Sequence, residues 1–204
     1  MSPTPIFSIK PYENELWVGG EDLLLFHDRN KDFWRTFGLE SGIPTGKILD
    51  INIDSGYVWI ASTGGLSRIS RAEKKLDYAG FEYLFDNIPI YKIIDHDDHL
   101  WIGAWSGIYL YSKNSPELKR GIEIGQRYFD QKIVRVTAMR EYEDSIYFVC
   151  DIGIIKYNLT SSIWDLIFNS VVYSNKTVND IEVVGNNIYF LPPQYRSLFC
   201  YHTQ

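Results

Sequence analysis

Five short apolar segments recur along the chain at an almost fixed interval, and each carries an aromatic residue in its second position. The intervals between the aromatic residues are 42, 42, 46 and 42 residues. These residues are Trp17, Trp59, Trp101, Tyr147 and Tyr189. A period near forty is typical of propeller blades, although paired helices also repeat at about 40 residues. The pattern inside each repeat has to decide between these two architectures.

Apolar and polar residues alternate with a period of two on both sides of each aromatic segment, which predicts β-strands. One alternating run comes before the segment, as in 48–55, and another follows a turn that usually contains glycine, as in 107–111. Asp, Asn, Gly and Glu separate the runs, as they do in hairpins. No stretch of a dozen residues has a convincing helical period of 3.6. The internal pattern therefore favours strands.

A weaker fourth run completes each of the first four repeats. The four candidates are 33–37, 76–80, 118–124 and 163–168. We therefore predict an all-β fold, a β-propeller of about five four-stranded blades whose last blade lacks its outer strand. The repeats span about 6–47, 48–91, 92–133, 134–177 and 178–204.

We expect these repeats to form one domain over 1–204, either as a closed ring or as part of a larger propeller. The repeated aromatic rings are expected to pack against the neighbouring blade, where each ring can bury some 150 to 250 Å². An unclosed propeller would leave apolar surface exposed between blades. Self-association is expected in that case.

The segment 100–112 reads Leu-Trp-Ile-Gly-Ala-Trp-Ser-Gly-Ile-Tyr-Leu-Tyr-Ser, and 58–69 follows nearly the same pattern. This pattern resembles the second and third strands of the two-component regulator propeller repeat. The inter-blade turn of that family, Gly-Leu-Pro and a small polar residue, is matched at 42–45 by Gly-Ile-Pro-Thr. The other repeats depart from the pattern, for example where Tyr147 and Tyr189 replace the tryptophan.

The resemblance implies a bacterial sensor-type propeller that serves signal transduction as the extracellular part of a larger receptor. Domains of this family usually have seven or more blades. Because many unrelated functions share one packing arrangement, the resemblance specifies architecture more strongly than function.

The composition fits a folded protein that does not bind nucleic acid. Hydrophobic residues make up 45% of the chain, and at this length roughly 70% of the unfolded surface is buried on folding. The chain has 20 Lys and Arg against 26 Asp and Glu, a net charge of −6. Phosphate contacts require clustered positive charge. We therefore expect no nucleic-acid partner.

No motif of an enzyme or a cofactor site occurs in the chain. Gly-x-Ser-x-Gly, a phosphate-binding glycine loop and His-Glu-x-x-His are all missing from the sequence. The segment 96–99, His-Asp-Asp-His, is the one candidate metal cluster, but successive residues of a tight turn point in different directions. We expect a solvated turn there, no metal and no cofactor.

The two cysteines, Cys150 and Cys200, lie at predicted strand positions on adjacent blades. Those positions do not favour the Cα separation of less than ~7 Å that a disulfide requires. We expect two small buried side chains instead.

The sequence starts with neither a basic leader nor a long apolar run, so no signal peptide is visible. No apolar stretch approaches the ~20 residues that cross a bilayer. We therefore expect a soluble chain that does not insert into membranes. Its compartment would be the periplasm if it is an excised sensor domain, and the cytoplasm otherwise.

The predicted binding site lies at the edge of the blades where the turns between second and third strands meet the inter-blade segments. Candidate ligand-binding residues in the turns are Glu21, Asp22, Thr63, Trp105, Asp151, Tyr195 and Arg196. Inter-blade candidates are Lys47, Tyr91, Lys92, Arg135 and Asn179. The turn of the fifth repeat is two residues longer than the others.

Trp105 is the strongest of these candidates. It lies in a two-residue turn, outside the repeated aromatic position at Trp101. A ring at a loop tip offers rigid contact area with little entropy to lose on binding. The alternative is that Trp105 folds over its neighbouring blade.

We therefore expect a non-catalytic binding or sensing module that recognises a small molecule, a glycan or a protein partner. A scaffolding fragment that associates with other chains is the first alternative. The second is a propeller lyase or hydrolase, which would need acidic groups such as Glu21, Asp22 and Asp151 at one edge of the blades.

Overall fold

The computed structural model describes residues 5–77, 85–114, 118–120, 129, 133, 135–169, 180–191 and 198–203. In these residues nineteen strands form five antiparallel sheets of three or four strands each. The chain divides into two compact units, Met1–Asp97 and Asp98–Gln204. The organisation of 1–204 as one domain stays a prediction. No helix in the described part of the chain is long and apolar enough to span a bilayer.

The first unit contains two complete sheets and one further strand. The first sheet consists of β1 (Ser8–Tyr12), β2 (Glu15–Gly19), β3 (Leu24–Asp28) and β4 (Phe33–Phe37). The second sheet consists of β5 (Ile48–Ile53), β6 (Tyr57–Ser62), β7 (Gly65–Ser70) and β8 (Lys75–Leu76). A short 3-10 helix at Leu39–Ser41 lies between them in sequence, and β9 (Ile90–His96) follows.

The second unit contains the remaining strands. It begins with β10 (His99–Ala104), β11 (Gly107–Ser112) and β12 (Leu118–Arg120). The fourth sheet consists of β13 (Val136–Tyr142), β14 (Ser145–Cys150), β15 (Gly153–Asn158) and β16 (Trp164–Asn169). The fifth sheet consists of β17 (Ile181–Val184), β18 (Asn187–Phe190) and β19 (Phe199–His202). In the described residues it has three strands, as predicted.

The register explains the sequence repeat. In the first, second and fourth sheets the aromatic residue of the second strand pairs with the residue seven positions before it and the residue nine positions after it, as in Lys10, Trp17 and Phe26. In the fifth sheet Tyr189 pairs with Cys200 instead. The turn there is two residues longer, which confirms the prediction. Its residues 192–197 lie outside the described part of the chain.

The rings of Trp17, Trp101 and Tyr147 pack against the following sheet, as predicted, whereas Tyr189 of the fifth sheet is only partly buried. Trp17 is fully buried in a cluster that includes Ile51 and Ile60 of the second sheet. The centroid of the Trp101 ring lies 5.7 Å from that of Phe148 in the fourth sheet. A further cluster joins Tyr147 to the apolar residues Ile181, Val183 and Ile188 of the fifth sheet. These three rings are core residues, and their repetition reflects packing.

The close approach of the next sheet also explains the glycine of the Leu-Trp-Ile-Gly pattern. A Cβ atom on Gly19 would collide with Ile48 at the start of β5. A Cβ atom on Gly103 would collide with the Met139 side chain of β13. The glycine therefore lets the first strand of the following sheet pack directly on the second strand.

The two cysteines are free thiols in different surroundings. Cys150 is buried, and desolvation raises the pKa of its thiol to about 12. Cys200 is exposed, so the prediction of two buried cysteines is wrong for this residue. Alternate residues of β19 face away from the fourth sheet, and Cys200 lies on that uncovered face.

Candidate functional site

Trp105 lies in the two-residue turn between β10 and β11, where Ala104 pairs with Gly107. Gly107 has a φ of 117°, a conformation that favours glycine and permits so tight a turn. The ring is 49% exposed. The guanidinium carbon of Arg135, just before β13, lies 4.9 Å from the ring centroid. The ring is thus held from one side by a neighbouring residue and is about half open to solvent.

Asp151 fixes the backbone of Arg135. It lies in the two-residue turn between β14 and β15, where Cys150 pairs with Gly153. The N–H of Arg135 donates to Asp151 Oδ1 at 3.3 Å, and the N–H of Asp151 donates to the Arg135 carbonyl at 3.3 Å. We call Trp105, Arg135 and Asp151 the Trp105 cluster. Its members come from three separate segments of the second unit.

The Trp105 cluster brings together a flat aromatic surface, a guanidinium and an exposed carboxylate. An indole ring stacks on flat or C–H-rich surfaces, and a guanidinium binds carboxylates and phosphates through two parallel hydrogen bonds. The cation–π contact between Arg135 and Trp105 orients both groups before any ligand arrives. The arrangement is suited to recognition.

The candidates of the first unit converge on the segment that leads into β5. The N–H of Gly46 donates to Asp22 Oδ1, and the N–H of Lys47 donates to Thr63 Oγ1 at 2.9 Å. Glu21 forms a β-bridge with Lys47. The structure therefore brings Glu21, Asp22 and Thr63 together, and the side chains of Asp22 and Thr63 hold the inter-blade segment in place.

The remaining candidate residues lie outside the described part of the chain or within a strand. Tyr195, Arg196 and Asn179 lie outside the described residues. Tyr91 and Lys92 lie within β9, so their assignment to an inter-blade turn is wrong. The Lys92 side chain is engaged inside the first unit, with Nζ 3.2 Å from Asp50 Oδ1.

The segment 96–99 joins β9 to β10 in the chain. Asp97 has a φ of 52° and its carboxylate is exposed, 3.5 Å from the ring nitrogen Nε2 of His96. The described residues contain no group of three or more potential metal ligands at this turn or elsewhere.

A cavity of about 310 Å³ in the first unit was not foreseen from the sequence. Its wall includes residues 42–45, the turn residue Gly64 and the start of β7. Ser67 on β7 is buried, and its hydroxyl has no hydrogen-bond partner in the part of the chain that the structure describes. The equivalent positions of the other repeats hold the larger residues Leu25, Tyr109 and Ile155. A serine at a position otherwise occupied by large side chains was the signal available in the sequence.

Replacing Ser67 with alanine is expected to raise the free energy of unfolding by about 1 kcal/mol, because it removes a buried hydroxyl that pays desolvation without a hydrogen bond. Denaturant titration measures the change. Ser62→Ala is the matched control, since the buried Ser62 Oγ donates to the Gly65 carbonyl and accepts from the Gly64 N–H, both at 3.1 Å. We expect the control to lose about 1 kcal/mol. A loss of stability in both variants would show that the Ser67 hydroxyl has a partner.

No protein-family model matches this chain, and no curated protein matches it by sequence. Solved structures match it by fold. The extracellular domain of a putative hybrid two-component system from B. thetaiotaomicron is 14% identical with a TM-score of 0.72, over 97% of this chain and 27% of that chain. A second such domain from the same organism is 16% identical with a TM-score of 0.64, over 93% of this chain and 26% of that chain.

A bacterial surface component of the type-IX secretion system of Porphyromonas gingivalis, PorZ, is 10% identical with a TM-score of 0.63, over 99% of this chain and 27% of that chain. The chain thus spans about a quarter of the length of these neighbours. At these identities the likeness concerns the fold, and it confirms the all-β propeller class predicted from the sequence repeat.

Proposed function

We propose that this chain is a non-catalytic binding and sensing module that recognises its ligand at the Trp105 cluster. The observation that carries the proposal is the half-exposed ring of Trp105. The ring lies in a turn of only two residues and is held by a contact with Arg135. The core does not require this ring, because the repeated position Trp101 already packs against the fourth sheet. A large ring left open at a loop tip and oriented in advance is a favourable contact for a partner.

The composition of the cluster favours a ligand with a flat or sugar-like ring face and an acidic group. The ring face would stack on Trp105, and the acidic group would pair with the guanidinium of Arg135. Among a small molecule, a glycan and a protein partner, a small acidic saccharide fits these two groups best. Asp151 acts as a positioning residue, since it holds the backbone from which the Arg135 side chain extends.

The sensing role rests on the neighbours in fold. Two of them are extracellular domains of putative two-component systems, and we propose that this chain serves as such a receptor segment outside the inner membrane. The Trp105 cluster offers stacking and ion pairing, and we assign it no catalytic role.

Replacing Trp105 with alanine is expected to weaken ligand binding by more than about tenfold, because the stacking surface is lost. The free energy of unfolding is expected to stay within about 1 kcal/mol, since the ring is half exposed and its contact with Arg135 is a surface cation–π pair. Calorimetric titration with short oligosaccharides, with and without uronic acid units, measures the binding. Denaturant titration measures the stability.

Trp34→Ala is the matched control, because Trp34 is similarly exposed at 53% but lies on β4 of the first unit. Saccharide binding is expected to be unchanged in this variant. A collapse of stability in Trp105→Ala would mean that the ring is a core residue and that the site lies elsewhere. Equal binding of all saccharides by the wild type and Trp105→Ala would also reject the site.

A further inference from the structure

One apolar residue of the first sheet is exposed where its equivalents are buried. Eight positions before each repeated aromatic residue, the first strand carries an aliphatic side chain. Ile51, Ile93, Met139 and Ile181 at this position are between 1% and 2% exposed, whereas Ile9 is 61% exposed. The environment of the position therefore differs only in the first sheet. On the face of the first sheet that carries Ile9, the side chains of Ile9 and Trp34 are exposed.

Further apolar side chains share this face. The register pairs Ile9 with Val18 and Val18 with Leu25. It also pairs Leu16 with His27 and His27 with Trp34, and the Trp34 ring stacks on the His27 ring at a centroid distance of 4.2 Å. We call this surface the Ile9 face. Val18 is buried on this face, and the exposed apolar side chains of Ile9 and Trp34 make the face a candidate interaction site.

The fifth sheet has an uncovered face of the complementary type. Tyr189 lies on it, together with the exposed residues Val184 and Leu191. Leu191 follows Tyr189 by two residues and is 50% exposed, whereas the equivalent residues Ala61 and Val149 are buried. We call this surface the Tyr189 face. It is the side of the sheet opposite to the one that packs on Tyr147.

The internal contacts of the two units show how these two types of face fit each other. The Trp17 face of the first sheet packs on Ile51 and Ile60 of the second. The Tyr147 face of the fourth sheet packs on Ile181 of the fifth. In each contact the aromatic face of one sheet covers the opposite face of the next. The Tyr189 face and the Ile9 face are the two halves of one more contact of the same kind.

Charged residues on the first strands also fit a contact between the Tyr189 face and the Ile9 face. Arg140 and Glu182 occupy equivalent positions, each paired with the aromatic residue of its own sheet. Their side chains form an ion pair, with Arg140 Nε 3.1 Å from Glu182 Oε1. Lys10 holds this position in the first sheet. A first sheet placed after a fifth sheet therefore brings Lys10 next to Glu182, again with opposite charges.

We propose that the Tyr189 face of one copy of this chain binds the Ile9 face of a second copy, head to tail. The two surfaces are different, so the contact is heterologous, and repeated use of it adds further copies. Apolar contact between the faces supplies the stability, and the Lys10 and Glu182 charges favour this pairing over two like faces meeting.

The test measures mass against protein concentration by analytical ultracentrifugation. Wild type is expected to gain mass with concentration. Ile9→Asp and Leu191→Asp each place a carboxylate in the contact, and each is expected to weaken self-association by more than about a hundredfold. Ile163→Asp is the matched control, because Ile163 is a similarly exposed apolar residue that lies on neither face. It is expected to associate as the wild type does, and circular dichroism checks that all variants fold.

Mixing the two variants distinguishes the modes of association. Ile9→Asp retains an intact Tyr189 face and Leu191→Asp an intact Ile9 face, so an equimolar mixture is expected to form one-to-one complexes and nothing larger. Self-association of Leu191→Asp alone would show that like faces meet, and would overturn the proposal. A wild type that stays monomeric at every concentration would overturn it as well. Association of Ile9→Asp at wild-type strength would place the contact elsewhere.

Discussion

Replacing Trp17 with alanine is expected to lower the free energy of unfolding by about 3 to 5 kcal/mol, the usual cost of removing a large buried ring. The Trp17 ring is fully buried, and its centroid lies 4.8 Å from Phe26 and 5.8 Å from Phe37. Its indole N–H also donates to Glu15 Oε2 at 3.0 Å. The variant loses packing within the first sheet and against the second sheet together.

Denaturant titration of Trp17→Ala against Trp34→Ala checks this expectation. Trp34 is the same residue type on the same sheet, but it is half exposed and its ring stacks on His27. We expect Trp34→Ala to lose about 1 kcal/mol or less. Comparable losses in the two variants would contradict the assignment of Trp17 to the core. Because a typical domain is stable by only about 5 to 15 kcal/mol, the loss at Trp17 is large.

Replacing Asp50 with alanine is the second change with a large expected effect. The Asp50 carboxylate is buried and joins β5 to β9, since it accepts from the Ile93 N–H at 2.9 Å and lies 3.2 Å from Lys92 Nζ. Alanine leaves both donors without this acceptor. The Ile93 N–H is then a buried donor without its acceptor, which costs about 1 to 3 kcal/mol, whereas the Lys92 side chain is 37% exposed and can be solvated. Denaturant titration at neutral pH measures the loss, and a loss below about 1 kcal/mol would show that the pair is dispensable.

The pH dependence of the same site has a definite sign. Burial raises the pKa of Asp50 above its ordinary value of 3.8, although the Lys92 charge opposes the shift. A raised pKa in the folded state means that folding favours the protonated form. This contribution to stability is complete below the unfolded pKa and is lost as the pH rises through the folded pKa. Asp50→Asn cannot titrate, so it is the control.

We expect the stability of the wild type relative to Asp50→Asn to fall as the pH rises from about 3.8 through the folded pKa of Asp50. Denaturant titrations of both proteins across this range measure the difference. A relative stability that rises with pH would mean that the charge of Lys92 outweighs the burial of the carboxylate.

The strands and their order could be predicted from the sequence because each sheet shows its period of two in consecutive segments. The bulges near the starts of two first strands could not. A bulge shifts the register between Ile48 and Asp50 in β5, and another lies between Val136 and Ala138 in β13. A bulge places two successive residues opposite one, which interrupts the alternation on which the prediction depends.

For the candidate site, too, some features could be predicted from the sequence and others could not. The placement of Trp105 in a tight turn follows from residue spacing alone. Its contact with Arg135, and the hydrogen bonds from Asp151 that hold Arg135, depend on how two sheets approach each other. The cavity beside Ser67 also depends on inter-sheet packing. The local sequence pattern therefore located the turn of the candidate site, and only the packed structure showed which side chains meet there.

The first and the fourth sheet are each formed by four strands that follow one another directly in the chain. Hydrogen bonding within such a sheet closes only short loops, so it costs little conformational entropy. The sheet can therefore form early in folding. Duplication of one genetic segment of this length adds a sheet with all its backbone partners and requires no rethreading of the rest. The architecture can therefore grow or shrink in evolution by whole repeats.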